Sequence, residues 1–482
     1  MKYLDQTVEK NPQCKFFNFR THINALQTNK TILMCLFLTV LYLISGYWKW
    51  LEITVGLCAV GFMCFVSLQN AFCIFLYMHC FTASKFSTSI CFIIMLIGFA
   101  LILIVKFILG SIKGKYEYHA KIVKIICIFN SLVLIFSLFS SSSYYNLIYL
   151  AYLPIVYCIY EMKDSIDVKQ GVNFLFGGII LSCLLGITFN YLPDFGYSAF
   201  ENSSKFNFCG LVGQTNFLSI FSLFVLTYYM YRFLDNKINN IDFALCFACC
   251  SIITILTQCK LEICLLFLFS LITIILYLKK DFRKNIKYAS ILFVVFLAIC
   301  GICYFQIWEI LKSFGSVFTS DNFLSSLLGN KDSIWEQYLT VSFSGFRSIM
   351  FGSGILAKDL YVSIVGNLVD ANSSYLFLIY HFGIAGTVLL GYIIYSIIKD
   401  TCYYKPKFAE CLPLLFVLLV SLGETLFLFQ TFSIIIAAVM VMFSTQKDEI
   451  IALKEMPQQS KIHKKHDNIA NKIQHEDNQT DE

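Results

Sequence analysis

Apolar runs of about 17–22 residues recur along the chain between short polar segments, and each is long enough to carry a helix through a bilayer core of about 30 Å. Such segments fall at 31–48, 53–67, 69–82, 88–109, 122–140, 143–160, 172–192, 211–234, 241–257, 262–278, 288–306, 375–397, 410–428 and 430–445. The third is short and carries Gln69, Asn70 and His79, so it reads as re-entrant or merged with a neighbour. The pattern predicts an all-α, polytopic membrane protein with about 12–14 transmembrane helices. Residues 1–30 form a polar arm, 31–445 the membrane region and 446–482 a polar tail carrying both signs of charge. One connection, 307–374, is far longer than the rest and is expected to be an external loop carrying short amphipathic helices. No internal repeat is visible, which weighs against the transporter folds built from paired halves.

Composition supports the same class. Of 482 residues, 58% are hydrophobic and 14% charged; a soluble domain has about 45–50% apolar and about 25% charged residues. A soluble enzyme and a disordered chain are both excluded. The net charge of +6 includes no basic patch interleaved with aromatics, so no nucleic-acid partner is expected. Most of the 20 cysteines lie inside apolar runs, Cys58, Cys64, Cys127 and Cys183 among them, and read as small apolar side chains rather than disulfides. Cys300 and Cys303 fall within such a run and read as membrane packing. The first run begins only after a polar arm, so it is expected to act as an uncleaved anchor.

Most of the 36 Lys and Arg residues fall on one side of the membrane if the N-terminus is cytoplasmic. Lys279, Lys280, Arg283, Lys284 and Lys287 form the densest cluster. The positive-inside rule then places both termini in the cytoplasm and the long loop outside.

Four segments carry candidate chemistry. Within the long loop, Ile334, Trp335, Tyr338, Leu339, Ser342, Phe343 and Phe346 share one helical face, and Ser333 with Glu336 reads as a capping box. This predicts a helix lying on or near the outer surface, with Lys331 before its N-terminus, where backbone N–H groups favour an anion, and Arg347 at its far end. Lys260 and Glu262 interrupt two apolar runs without a loop between them, which predicts a tight outside hairpin or a broken helix. Charges at that depth usually have a partner or a function; Glu424 is another. Residues 206–219 supply Gly210 and Gly213 for tight backbone, with Gln214, Thr215 and Asn216 as polar groups at a span's outer end. Finally, Gly352 and Gly354 suit a tight turn, and residues 370–386 carry Asp370 and His381.

Together, residues 206–386 resemble the O-antigen ligase and polymerase superfamily of bacterial envelope glycosyltransferases. Five motifs carry the resemblance, in the family's order. They are Gly210-Leu-Val-Gly213-Gln214-Thr215-Asn216; Thr257-Gln258-Cys259-Lys260; Lys331-Asp-Ser-Ile-Trp335; Gly352-Ser-Gly354; and Asn372-Ser373-Ser374-Tyr375-Leu376 with His381-Phe-Gly383-Ile384-Ala385-Gly386. Lysine stands at 260 and 331 where the family has arginine, which keeps the charge but loses the bidentate fork. Thr215 stands where proline is usual, and Asn372 where a ligase has histidine. These departures favour the polymerase branch.

The resemblance implies a glycan on a polyprenyl diphosphate as donor, in the outer leaflet of a bacterial cytoplasmic membrane. A sugar hydroxyl attacks the anomeric carbon and the lipid diphosphate leaves. In a polymerase of O-antigen, capsule or exopolysaccharide the acceptor is the next lipid-linked repeat. Cations must meet the leaving diphosphate, and Lys260, Lys331 and Arg347 are the candidates, with Lys205 weaker. A base or acceptor must meet the hydroxyl: Asp370 and His381, with Glu336 behind them. Gln214, Asn216, Asn372 and Tyr375 are expected to contact the remainder of the substrate. No carboxylates have metal-ligand spacing and no Walker-type loop is present, so neither a metal nor another cofactor is expected. A flippase and a chain-length regulator are the expected protein partners. The rivals are a ligase, including transfer of glycan to protein, and a flippase or transporter for the same lipid-linked glycan.

Overall fold

The structure is a computed structural model, in which residues 12–45, 49–81, 90–116, 119–137, 150–190, 207–280, 331–354, 360–362, 367–369, 371–401 and 408–426 are described, with Phe200 and scattered positions between 290 and 312 and between 434 and 438. Asp370, Lys205, the polar tail and most of the last expected span lie outside the described residues.

The apolar runs become helices: α1 (Pro12–Ser45), α2 (Lys49–Phe65), α3 (Leu68–Met78), α4 (Ile90–Ile112), α5 (Ala120–Ser137), α6 (Tyr152–Glu161), α7 (Val168–Asn190), α8 (Thr215–Leu234), α9 (Asn240–Thr257) and α10 (Lys260–Lys280). The long loop contributes α11 (Lys331–Ser342), α12 (Phe346–Phe351) and an antiparallel pair, β1 (Leu360–Val362) and β2 (Asn367–Val369). Then follow α13 (Ser374–Thr401) and α14 (Leu412–Val420). Among the described residues, seven helices are long and apolar enough to cross a membrane, within α1, α4, α7, α8, α9, α10 and α13. The protein is therefore a helical, multi-pass membrane protein.

Helix α8 is the centre. Of its 20 residues 17 are buried, so it meets protein on all sides, packing on α7, α9, α10 and α14. Outer helices keep an apolar stripe exposed: Leu33, Phe37 and Val40 on α1, Leu101, Val105 and Ile108 on α4, and Phe267, Leu271 and Ile275 on α10. Such continuous apolar surface suits lipid and not water.

Lipid tails are as apolar as these side chains, so helix association rests on close packing and on polar pairs between helices. Both are present. Phe75 of α3 stacks on Phe99 of α4 with ring centroids 4.2 Å apart. The hydroxyls of Thr39 and Tyr77 join α1 to α3 at 2.8 Å, and Ser222 Oγ donates to the Cys250 carbonyl at 3.1 Å, joining α8 to α9.

Helix α3 answers the question posed by the short third run. Its 11 residues rise about 16 Å, too little to cross, and all but Gln69 are buried. It is a short helix enclosed by protein, begun by Ser67, whose Oγ accepts from the Asn70 N–H at 3.3 Å. The described cysteines are free thiols.

The described part of α11 runs from Lys331 to Ser342 and contains Ser333 and Glu336. The expected amphipathic face divides. Ile334, Tyr338 and Ser342 are buried, and Tyr338 meets Tyr380 of α13 edge-on with centroids 4.9 Å apart. Leu339, Phe343 and Phe346 are exposed. The helix docks on protein by one stripe, and Leu339, with Phe343 and Phe346 beyond its end, forms an exposed apolar patch.

Candidate functional site

The turn before α8 is held in place by its backbone. The Phe208 N–H donates to the Leu256 carbonyl at 3.1 Å, and the Leu211 N–H donates to Ser182 Oγ at 3.0 Å. Gly210 lies against Gly186, where a Cβ would come within 2.8 Å of the Gly210 Cα. A short 3-10 turn, Gly210–Val212, ends at Gly213 with φ 83°, and the chain enters α8. Gln214 is exposed at the N-cap, its side chain making no capping bond. Asn216, in the first turn, reaches inward.

The connection between α9 and α10 is the tight hairpin that the sequence predicts. It has two residues: Gln258, left-handed at φ 57°, and Cys259. Cys259 Sγ donates to Asn216 Oδ1 at 3.0 Å, tying this hairpin to α8. Lys260 opens α10, and Glu262 is buried beside it. Glu262 Oε1 has no hydrogen-bond partner among the described residues.

Glu424 joins these pieces. It follows α14 and is 7% exposed. Its Oε1 accepts from Asn216 Nδ2 at 2.9 Å and from Lys331 Nζ at 2.5 Å. Lys331 Nζ also donates to the Gly423 carbonyl at 2.5 Å. The backbone beneath is fixed by Ser374, whose N–H and Oγ donate to the Glu424 carbonyl at 3.1 and 2.9 Å. Ser374 Oγ in turn accepts from the Leu426 N–H at 2.8 Å, and the Ser373 N–H donates to Thr425 Oγ1 at 3.1 Å. Glu262 lies within electrostatic reach of both Glu424 and Lys331. The cluster is thus two carboxylates and one ammonium in a largely buried setting.

A second junction holds the glycine motif. The Ser353 N–H donates to the Tyr380 carbonyl at 2.7 Å and the Gly354 N–H to the His381 carbonyl at 3.0 Å. His381 is buried and lies 2.9 Å through Nδ1 from the Gly354 carbonyl. A carbonyl only accepts, so Nδ1 carries the proton and the ring is pinned in one tautomer. Gly352 and Gly383 meet back to back, both with positive φ. A Cβ on Gly383 would stand 2.5 Å from the Gly352 nitrogen, and one on Gly352 would stand 2.6 Å from the Gly383 nitrogen. Gly383 breaks α13 at φ 62°, ψ −174°. Beside it a cavity of about 80 Å³ is lined by Phe129, Val133, Phe351, His381 and Phe382.

The sequence-predicted residues therefore divide. Lys331 and Asn216 belong to the Glu424 cluster; Lys260 is the first residue of α10, two positions from Glu262 and so turned to another side of that helix. Asn372, left-handed at φ 47°, precedes the Ser373 and Ser374 anchors. Tyr375 is exposed and donates its hydroxyl to the Leu418 carbonyl at 3.0 Å. Arg347 and Glu336 are exposed; Arg347 lies beyond the far end of α11, a helix of 12 residues rising about 17 Å from Lys331. Glu424 is the residue that the candidate list lacks. Its signal is an acidic residue inside an apolar run.

The described residues contain no group of three His, Cys, Asp or Glu able to hold a metal ion. No family model, curated protein or solved structure matches this chain.

Proposed function

We propose that this protein is a glycan polymerase of a bacterial cytoplasmic membrane, transferring a growing polyprenyl-diphosphate-linked chain to a new lipid-linked repeat unit at the outer leaflet. The observation that carries this reading is convergence. The first turn of α8, the α9–α10 hairpin, the start of the described α11 and the start of α13 lie far apart in sequence, yet one hydrogen-bonded network through Asn216 and Glu424 joins them, while the glycine motif packs further along α13. These are the segments whose motifs resemble the glycosyltransferase superfamily.

The chemistry follows from the charges. A sugar hydroxyl of the acceptor attacks the anomeric carbon of the donor; its oxygen forms the new glycosidic bond while the bond to the diphosphate breaks. The electron pair leaves with the diphosphate and the proton must go to a base. Glu424 takes that role here in preference to Asp370, His381 or Glu336. It is buried, already hydrogen-bonded and adjacent to a cation. An ammonium has three N–H donors, and Lys331 uses two on Gly423 and Glu424, leaving one for a phosphate oxygen. Protonation of Glu424 would weaken its hold on Lys331 as negative charge grows on the leaving group, so the cation's field turns toward the diphosphate when it is most useful. Lys260, at the start of α10, is the candidate for a second cation on the remainder of the diphosphate. Glycan transfer of this kind draws its energy from the activated donor, so the reading needs no metal or nucleotide.

A second reading has one observation in its favour. A paired lysine and glutamate with a second buried carboxylate is also what a transporter of the same lipid-linked glycan would use on its path. Cells lacking the protein separate the readings. Loss of a polymerase leaves single repeat units on the final acceptor. Loss of a ligase leaves long polymer on the lipid carrier, and loss of a flippase leaves undecorated acceptor with repeats confined to the inner leaflet. The first pattern supports the proposal and either of the others contradicts it.

A further inference from the structure

The far end of α8 holds a second polar site, unrelated to the Glu424 cluster. Asn216 lies in the first turn of α8 and Arg232 in the last. Twenty residues of helix rise about 30 Å, the thickness of a bilayer core. The two sites therefore lie at opposite membrane faces, and the basic-residue distribution makes this one the inner face.

An open cavity of about 450 Å³ sits there, within the size range of small-molecule sites. It lies where α7 and α9 begin and α8 ends. Three basic side chains line it, Lys169, Arg232 and Lys237, against one acidic residue, Asp242. Lys237 is paired with Asp235 at 2.8 Å. Burial works against the Lys237 ammonium, but Asp235 and Tyr231 outweigh it and hold the group above its ordinary value, so it is a permanent cation. Among the described residues neither Lys169 nor Arg232 forms an ion pair. Arg232 spends one Nη2 donor on the Lys237 carbonyl at 3.3 Å, which aims the guanidinium while leaving other N–H groups for a ligand.

Two further features narrow the ligand. The N-terminal ends of α7 and α9 both lie at the cavity: the Lys169 N–H donates to Asp167 Oδ1 at 2.9 Å, while Asn239, the N-cap of α9, makes no capping bond and Asp242 is the acidic residue of that helix's first turn. The first two turns of α9 expose Ile241 and Leu245, apolar side chains on the same helix end that gives the cavity Asn239 and Asp242. A soluble phosphate has no use for them; an acyl chain does.

We propose that this cavity binds the phosphate of an anionic phospholipid headgroup in the inner leaflet, with Arg232 and Lys169 as its ligands and Ile241 and Leu245 against the acyl chains. This claim is independent of the glycosyl-transfer reading.

The test is native mass spectrometry of the full chain released from nanodiscs of phosphatidylcholine and phosphatidylglycerol. Wild-type protein should retain phosphatidylglycerol. The double variant Lys169→Gln/Arg232→Gln should retain roughly 30-fold less, the effect of two interfacial cations, while melting as wild type does in pure phosphatidylcholine. Asp242→Asn, which removes the acidic lining residue, should retain more and keeps the test decisive if the double variant fails to fold. Equal retention by wild type and both variants would overturn the proposal. So would a thermal shift with inorganic phosphate as large as that with phosphatidylglycerol, which would make the site one for a soluble anion.

Discussion

Lys331 and Glu424, 93 residues apart, meet at 2.5 Å, and the carboxylate oxygen that receives the ammonium also receives Asn216. The pair is largely shielded, with side chains 21% and 9% exposed. Desolvating two charges is costly, and their attraction repays it only if the remaining polar groups are also satisfied. The Gly423 carbonyl and the Asn216 amide do so here.

Removing one partner should therefore cost far more than removing both. Lys331→Met is expected to destabilise the fold by about 3–5 kcal/mol, because it leaves a buried carboxylate held only by Asn216. The double variant Lys331→Met/Glu424→Leu should recover most of that stability and none of the activity. Denaturation midpoints in detergent measure this; additive losses in the double variant would show that the two groups do not act as a pair.

Lys331→Arg separates charge from shape. Arginine keeps the cation and adds a bidentate fork suited to carboxylate and phosphate. Polymer formation should be retained or improved. A loss as large as that of Lys331→Met would mean that the ammonium's two bonds, and not its charge toward a ligand, define the role.

Lys260→Ala should abolish chain elongation while leaving the unfolding free energy within about 1 kcal/mol of wild type, since it stands at a helix start with partial exposure. Asn216→Ala differs: it strips a donor from Glu424 and an acceptor from Cys259, so it should cost about 1–3 kcal/mol as well as activity. Measuring polymer length and melting together distinguishes the two effects.

The Gly352–Gly383 contact gives a purely structural prediction. Either glycine changed to alanine places a methyl 2.5–2.7 Å from backbone atoms, at a positive φ, with a loss of about 1–3 kcal/mol or more. Gly391→Ala, in the same helix with open space around its Cβ, should instead stabilise by about 0.5–1 kcal/mol. Equal effects at 383 and 391 would contradict the close approach.

Much of this was legible in the chain. Apolar run lengths locate the long helices because the bilayer imposes a minimum length. The Lys260–Glu262 interruption reads as a turn because two charges leave no continuous span. What periodicity cannot give is pairing across distance. Glu424 is visible as an acid in an apolar run, but nothing local says that Lys331 is its partner, so the sequence points to Asp370, Glu336 and His381 instead. His381 illustrates the converse: a histidine near a glycine motif suggests chemistry, while its Nδ1 is spent on the Gly354 carbonyl.

The most direct test of the central claim is a reconstituted reaction: purified protein, a lipid-linked oligosaccharide repeat and chelator, with products resolved by size. Wild type should yield a ladder without divalent metal, and Glu424→Gln, which keeps the hydrogen bond to Asn216 but cannot accept the proton, should yield none at a temperature where circular dichroism shows it folded, although it melts below wild type because the Lys331 charge has lost its partner. A ladder from Glu424→Gln equal to wild type, or no ladder from the wild-type protein, would contradict the account.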